Sequence, residues 1–542
     1  PDTEQPGQSG IENWAYIPRA SLKTINRLQT NVADIPVHPN TTDGSPVVLF
    51  DDADNSGTIG DDTDDRVVIY FGMRRGGANL YALDVTDPDD PKFLWRIIGG
   101  SGEFAELTQT WSTPQIGRVR LSGVDTDVLV FGGGYNGDDD GNLTYELCDA
   151  ITAGVDNNEF DDQDGVDEDD RTECFDSLGK DLANRIQAFN KANDPNVTQQ
   201  VGTDDPHGNA IYIVNALTGE LIWKAAKNGS LGSPTFDGTK TLGVPDLNDS
   251  FPAEITAVDT TGNGILDRIL AADTGGNVWR IDLGDFVDTN LDGDDDTLVI
   301  DDISKWQIVR LLNAGRGFTS DVTNDRRFFN RVDIAQTRDD SGPFDAVLVG
   351  SGDRENPLEV DVENWFYMIK DRQISVGAPP TTTLNHDDLV DLSDNCLQTG
   401  TEESCLTATE QSQFEDGWRI QLEAASGEKN LAAAVTSGGN VFFTTFAPEP
   451  VSATCGLSEG VGRFYALSLS DATAIINFDT SNDAEGTTYE RFDTLGSGGI
   501  PVEVVPLGQG QILVQGQEVG QNIVATGGRT GFRTYWYELP EL

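Results

Sequence analysis

The chain has 542 residues, 37% hydrophobic and 8% aromatic, and its 92 Asp plus Glu against 35 Lys plus Arg give a formal charge of −57. Roughly one excess negative charge per ten residues excludes binding to nucleic acid or to an anionic lipid surface by bulk electrostatics, and makes cations the natural partners. With 59 Gly and 23 Pro beside that apolar content, the chain is neither disordered nor fibrous.

Pro1-Asp2-Thr3-Glu4 opens the chain without an initiator Met or a basic-then-apolar leader, and no apolar run approaches the roughly 18 to 20 residues that span a membrane. A processed or trimmed fragment is therefore expected. Cys148, Cys174, Cys396, Cys405 and Cys455 form no CxxC and lie in Asp/Gly/Ser-rich stretches, which suits disulfides on an exported protein better than a zinc site. Proximity favours Cys148 with Cys174 and Cys396 with Cys405, with Cys455 left over; the connectivity stays open.

Short β-type runs dominate, and Ser177 to Lys191 is the best helix candidate. A unit recurs: an apolar strand ending at a small or polar residue, a tight Gly or Asn turn, an aromatic-centred strand, and a third strand often closing on Trp. The clearest copy runs Val67 to Gly72, Asn79 to Asp84 and Phe93 to Trp95. A second uses Val128 to Gly132, Ala210 to Asn215 and Gly219 to Trp223. The third has Arg268 to Asp273 and Gly276 to Asp282, and the fourth Ala346 to Gly350 and Trp365 to Ile369. Weaker copies follow at Val441 to Thr444 with Arg463 to Leu467, and at Asn522 to Ala525 with Thr534 to Leu539.

The copies are spaced more widely than the roughly 40 to 50 residues of a compact propeller blade, and insertions account for the excess. No unit can cover both sheet faces alone, so stacking around an axis is the economical arrangement. The fold expected is therefore all-β: one β-propeller over 1–542, seven-bladed within a range of six to eight. Ile11 to Pro18 reads as the outer part of a further blade. The competing architecture is a string of β-sandwiches, which the lack of Pro-rich linkers disfavours. Insertions fall at 135–206, acidic, with Cys148 and Cys174, and at 373–416, with Cys396 and Cys405. Tyr81, Tyr212, Trp279 and Tyr367 recur in register with the strands and are read as core.

Calcium takes six to eight hard oxygen ligands, and a loop with oxygens at positions 1, 3, 5, 7 (backbone) and 9 supplies most of them. Asp259, Thr261, Asn263, the Ile265 carbonyl and Asp267 fit that spacing. So do Asp288, Asn290, Asp292, the Asp294 carbonyl and Asp296. Neither loop has the helix or the position-12 Glu of an EF-hand. The alternative for each is a solvated acidic turn. Looser candidates begin at Asp52, Asp138 and Asp161. Only His38, His207 and His386 exist, none beside a nucleophile motif, and Gly132-Gly133-Gly134 reads as a sheet-edge turn; no catalytic site is expected.

The Tyr-Ala-Leu-Asp units with a terminal Trp resemble quinoprotein-dehydrogenase-like propeller repeats. Trp14 to Arg19, Asp43 to Val48, Phe71-Gly72-Met73-Arg74-Arg75-Gly76-Gly77 running into Leu80 to Pro88, Phe131 to Asn136, Asp259 to Asp282, Gly350-Ser351-Gly352-Asp353-Arg354 and Phe366 to Asp371 together resemble the C-terminal propeller of PilY/PilC-type pilus tip adhesins. The order holds from about Glu12 to Leu542.

That resemblance implies a non-enzymatic protein of type IV pili, extracellular at the pilus tip or cell surface of a Gram-negative bacterium, supporting pilus assembly, attachment and twitching motility. It implies partners among the minor pilins, a host or abiotic surface, and an N-terminal adhesive domain of the same precursor. It also implies Ca2+ at Asp259 to Asp267, immediately before the blade with Gly276-Asn277-Val278-Trp279. Thr261 departs from the carboxylate common at position 3, and the chain lacks Arg-Gly-Asp, so integrin binding is not carried over. Two alternatives are a quinoprotein dehydrogenase, which usually carries adjacent cysteines absent here, and a stand-alone lectin-like surface propeller.

Overall fold

The computed structural model describes residues 13–22, 40–53, 56–59, 64–135, 205, 207–227, 233–287, 297–315, 322–449, 460–478, 489–496, 499–508, 511–514, 517–519 and 533–534. The Cys148–Cys174 pairing, Cys455, the Ser177 to Lys191 helix, the Asp288 loop and the loops begun at Asp138 and Asp161 lie outside these residues. Cys396 and Cys405 are joined as a disulfide.

Six sheets of three or more strands follow one another along the described chain, together with a short ribbon of Asp285–Val287 and Thr297–Val299. Sheet 1 holds Val47–Asp51, Arg66–Gly72, Asn79–Asp84 and Lys92–Ile98. Sheet 2 is built on Gln115–Leu121, Val124–Gly132, Ala210–Asn215 and Leu221–Lys227. Sheet 3 holds Thr256–Val258, Arg268–Ala272, Asn277–Asp282 and Gln307–Asn313. Sheet 4 holds Asp333–Asp339, Gly342–Gly350, Trp365–Asp371 and Gly417–Gln421. Sheet 5 is built on Asn440–Ala447 and Val461–Ser468, and sheet 6 on Val505–Gly508, Gln511–Val514 and Gln517–Val519. The main strands of each sheet run antiparallel to their neighbours, as consecutive hairpins do.

The period-2 alternation of side chains explains how the sheets stack. In Val124–Gly132, Val128 and Val130 pack toward sheet 3, whereas Leu129 and Phe131 pack toward sheet 1. In Arg268–Ala272, Ile269 and Ala271 face sheet 2 while Leu270 and Ala272 face sheet 4. Tyr367 and Ile369 join sheet 3, Phe366 and Met368 join sheet 5, and Phe442 with Phe464 meets Val504 and Val514 beside sheet 6. Every hydrophobic cluster is thus shared by two consecutive sheets, which is the packing of propeller blades. Tyr81, Tyr212, Trp279 and Tyr367 are all buried, as expected.

The closing Trp residues reach into the next blade. Trp95 Nε1 donates to the Ala216 carbonyl of sheet 2 (2.9 Å), Trp418 Nε1 to the Leu469 carbonyl of sheet 5 (3.0 Å), and Trp223 packs edge-on to Trp306 of sheet 3. Where the second strand of a blade ends, the segment entering the next blade crosses it. A Cβ on Gly132 would lie 2.5 Å from the Phe251 carbonyl oxygen, and one on Gly350 2.6 Å from the Asn430 side chain. That close approach requires glycine.

Three segments differ from expectation. Trp14 to Pro18 forms no strand: Trp14 Nε1 donates to the Pro88 carbonyl, and Tyr16 lies against Phe71 and Tyr81 on the outer face of sheet 1. The sixth sheet is Val505 to Val519, upstream of the copy read at Asn522 to Leu539, of which the described part, Arg533–Thr534, pairs with Asp333–Asp339 of sheet 4. The insertion at 373–416 is stitched across two sheets, with Leu384–Asn385 parallel to the outer strand of sheet 3 and Val390–Asp391 parallel to that of sheet 4. It also carries two short helices, Glu402–Cys405 and Ala408–Phe414, the second closed by a capping box between Thr407 and Glu410.

A buried ionic network fastens that insertion. Arg268 and Arg280 are fully enclosed. Arg280 donates from Nε (2.8 Å) and Nη2 (2.7 Å) to Asp282, from Nη1 to Asp371 (2.6 Å), and to the carbonyls of Gln373 and Ser375. Arg268 binds Asp282, Asp345 and the Ile374 carbonyl, and Gly377 N–H donates to Asp282. Burial pushes the Asp345 carboxyl up to about 6, against the pull of Arg268. Removing one member strands its partners without solvent. Arg280→Met should therefore cost about 3 to 5 kcal/mol in denaturant unfolding, and should speed proteolysis within 373–416. Wild-type stability in that variant would mean that the network adds nothing to the apolar packing.

Asp333, half-buried at the start of its strand in sheet 4, accepts the Thr436 hydroxyl of sheet 5 at 2.5 Å, and desolvation pushes its carboxyl from the ordinary 3.8 up to about 6. A raised native pKa favours the folded state most below pH 4, and that advantage fades as pH rises to 6. Asp333→Asn should erase this slope, leaving wild type on the order of 1 to 2 kcal/mol better off at pH 4 than at pH 7 relative to the variant. Parallel urea titrations across that range check it; parallel curves for the two proteins refute it.

Candidate metal loop at the third blade

The loop from Asp259 to Asp267 joins the first two strands of sheet 3, Thr256–Val258 and Arg268–Ala272. Gly262 (φ 74°) and Gly264 (φ 82°) turn the chain through the left-handed region, and Thr261 to Gly264 face solvent. Asp259 anchors the turn. Its Oδ1 accepts from the Gly262 amide (2.6 Å) and from the amide and hydroxyl of Thr261 (both 3.1 Å), and its Oδ2 accepts from Gly264 N–H (2.6 Å). Asn263 Oδ1 accepts from Ile265 N–H (2.8 Å).

Asp267 closes the loop from the buried side. Both its oxygens accept from Thr260 N–H at 3.0 Å, and Oδ2 accepts the Thr260 hydroxyl at 2.9 Å. Burial raises its carboxyl pKa, while the Thr260 donors and the neighbouring Arg268 oppose the rise. The loop thus holds two carboxylates, a hydroxyl, an amide oxygen and the Ile265 carbonyl. This all-oxygen set suits a hard cation such as calcium and not zinc or a redox metal. With only two carboxylates, it is not a cluster of three acidic or imidazole groups, and among the described residues no such cluster is present.

The loop after Val47–Asp51 of sheet 1 is wired in the same way. Asp52 accepts from Ser56 N–H (3.1 Å) and Gly57 N–H (2.7 Å), and Ala53 N–H donates to Asp65 (3.1 Å), as Thr260 does to Asp267. Asp65 is buried and precedes Arg66 just as Asp267 precedes Arg268. Sequence reading passed over Asp65; the signal was the Asp-Arg step that opens both second strands.

Of the described histidines, His386 is held neutral. Desolvation, with Arg326 and Arg419 nearby, pushes its pKa down to about 2, its Nδ1 is 3.0 Å from the Tyr367 hydroxyl, and its ring packs edge-on to Trp365. It serves packing.

Blades stacked around an axis, with a long edge insertion and an oxygen-rich loop within the third blade, define an all-β propeller-like domain. The proteins that this chain resembles in sequence and in fold are PilY1 proteins. The solved C-terminal domain of Pseudomonas aeruginosa PilY1 superposes on 94% of this chain and 88% of its own, at TM-score 0.54 and 17% identity. The type IV pilus biogenesis factor PilY1 of P. aeruginosa strain UCBPP-PA14 is 34% identical over 136 residues, 24% of this chain and 10% of that protein. A PilY1 homolog from Xylella fastidiosa is 24% identical over 288 residues, 51% of this chain and 18% of that protein. The aligned stretches are thus a small part of those relatives' own lengths. No family model matches the chain.

Proposed function

We propose that this chain is the C-terminal propeller module of a type IV pilus biogenesis factor, non-enzymatic, acting outside the cell at the pilus tip. In this reading it works with minor pilins and with an adhesive N-terminal domain of the same precursor in pilus assembly, surface attachment and twitching. The role of its relatives in pilus biogenesis and the shared fold support the assignment.

The Asp259 loop is the observation that gives the module a chemistry of its own. Asp259, Thr261, Asn263, Ile265 and Asp267 would hold Ca2+, which supplies charge neutralisation and a fixed coordination geometry. The chain's own part is to pre-set the loop: the Gly262 and Gly264 amides orient Asp259, and Thr260 orients Asp267. Two carboxylates imply modest affinity, toward the weak end of the sensor range.

Calorimetric titration of the purified chain with calcium should show saturable binding that weakens at least tenfold in Asp259→Ala and in Asp267→Ala, with magnesium a poor competitor. Undiminished titration in both variants would remove the loop from the proposal. Affinity capture of the full-length protein from piliated cells should recover minor pilins; repeated capture without any pilin would count against the pilus assignment itself.

A further inference from the structure

The strap at 373–416 is fastened in two places by different means. Its first residues are gripped through their carbonyls by Arg268 and Arg280, whereas its middle carries the one disulfide among the described residues, Cys396–Cys405. After Val390–Asp391, on the outer strand of sheet 4, the strap crosses to sheet 5. Arg491, just before the strand Phe492–Thr494 of sheet 5, donates from Nη2 to the Leu392 carbonyl (2.7 Å) and from Nη1 to the Ser393 carbonyl (3.1 Å). Gln398 and Ala474 exchange two bonds: Gln398 Nε2 donates to the Ala474 carbonyl (3.2 Å), and Ala474 N–H donates to Gln398 Oε1 (2.6 Å). Leu392 and Leu406 share a core with Leu469 and Ala472, from the turn after Val461–Ser468, and Leu397 and Cys405 pack on its edge.

The elements on this side of the strap are too short to hold themselves. Cys396–Gln398 is a single 3-10 turn, and Glu402–Cys405 is one helical turn. Segments of that length form only under outside restraint. The disulfide supplies it, closing 396–405 into a ring in which Gly400 N–H donates back to the Cys396 carbonyl (3.0 Å) and a Cβ on Gly400 would run into Cys405 Sγ. Leu397 and Gln398, which meet sheet 5, lie inside the ring. Opening it returns to these residues the chain freedom that closure removes.

The receiving turn is itself under strain. Ala472 is buried with φ 54°, a left-handed conformation that a non-glycine residue keeps only where its surroundings impose it. Arg491 helps impose it, donating from Nε to the Ala472 carbonyl (2.9 Å). One guanidinium thus holds the strap and the turn together, so the two sides of the seam are coupled.

We propose that the Cys396–Cys405 disulfide is a redox-sensitive latch: closed, it seals the seam between sheets 4 and 5, and reduced, it lets residues 391–406 leave sheet 5 while 373–377 and the blades stay in place. The reductant is a dithiol. Its thiolate attacks one cysteine sulfur, the S–S bond breaks to a mixed disulfide, and its second thiol resolves that intermediate. Two electrons and two protons pass to Cys396 and Cys405, and the dithiol leaves as a disulfide. Thr399 and Thr401 to Ser404 are exposed beside the two half-buried cysteines, which gives a small dithiol its approach. The sealed form therefore belongs to an oxidising compartment. The latch rests neither on the pilus assignment nor on the calcium loop.

Hydrogen exchange and limited proteolysis of the whole chain, with and without dithiothreitol, test it. The Cys396→Ser/Cys405→Ser variant repeats the reduction without touching Cys148, Cys174 or Cys455. In the reduced chain and in the variant, the Ala474 amide should exchange at least tenfold faster, and a glutamate-specific protease should cut after Glu402 or Glu403 at least tenfold faster. Exchange at 373–377 and in Val124–Gly132 of sheet 2 should match the oxidised chain. Unchanged exchange at Ala474 with unchanged cleavage in the variant would overturn the latch. Equal acceleration in every blade would also overturn it, by making the disulfide a staple of the whole domain.

Discussion

Everything in this structure depends on sheets that are apolar on both faces. A sheet with Leu129 and Phe131 on one side and Val128 and Val130 on the other cannot stand alone in water, and no helix layer is present among the described residues to cover it. Each face must therefore be covered by another sheet, and the covering sheet has the same need. A ring satisfies this requirement without leaving two uncovered ends. The first blade shows the local alternative: where Phe71 and Tyr81 face outward, Tyr16 from the leading segment is laid over them.

The same constraint decides how much could be read in advance. Runs such as Val128 to Phe131 and Ile211 to Val214 carry no polar alternation, so they marked strands buried on both sides; Ala210–Asn215 and Asn79–Asp84 were legible to the residue, whereas Val124–Gly132 begins before its apolar run, at the polar stretch of its hairpin. The closing Trp of a unit was legible as a repeat but not as a device, because its bond to the next blade's carbonyl spans 121 residues in the case of Trp95. Sheet 6 escaped notice because Pro506, Gly508 and Gly510 interrupt its apolar runs. The strap at 373–416 read as a polar insertion because its strands, Leu384–Asn385 and Val390–Asp391, are two residues long and stabilised by their hosts. The Asp259 loop was legible since its ligand spacing is local.

Main-chain adjacency ties surface to interior at the third blade. Asp267 ends the oxygen-rich loop and Arg268, the next residue, enters the network that grips the Ile374 carbonyl. One short strand start thus carries a loop open to solvent on one side and a fully enclosed ion pair on the other. The pair restrains the loop's exit: Arg268 cannot shift without breaking bonds to Asp282 and Asp345, so Asp267 is held where Thr260 can reach it.

The net charge of −57 gives the arginines their meaning. With acidic groups in such excess, several arginines on this chain pair with a carboxylate, as Arg118 does with Asp127, Arg120 with Asp125 and Arg372 with Asp339. Exposed pairs of this kind contribute little to stability and follow from composition alone. Other arginines are satisfied by backbone carbonyls instead, Arg326 by those of Glu363 and Ala314 and Arg491 by those of Leu392, Ser393 and Ala472. Arg354 is kept from its sequence neighbour Asp353, which lies beside Arg327 and accepts the Glu355 and Asn356 amides, and its side chain donates instead to the Leu431 carbonyl.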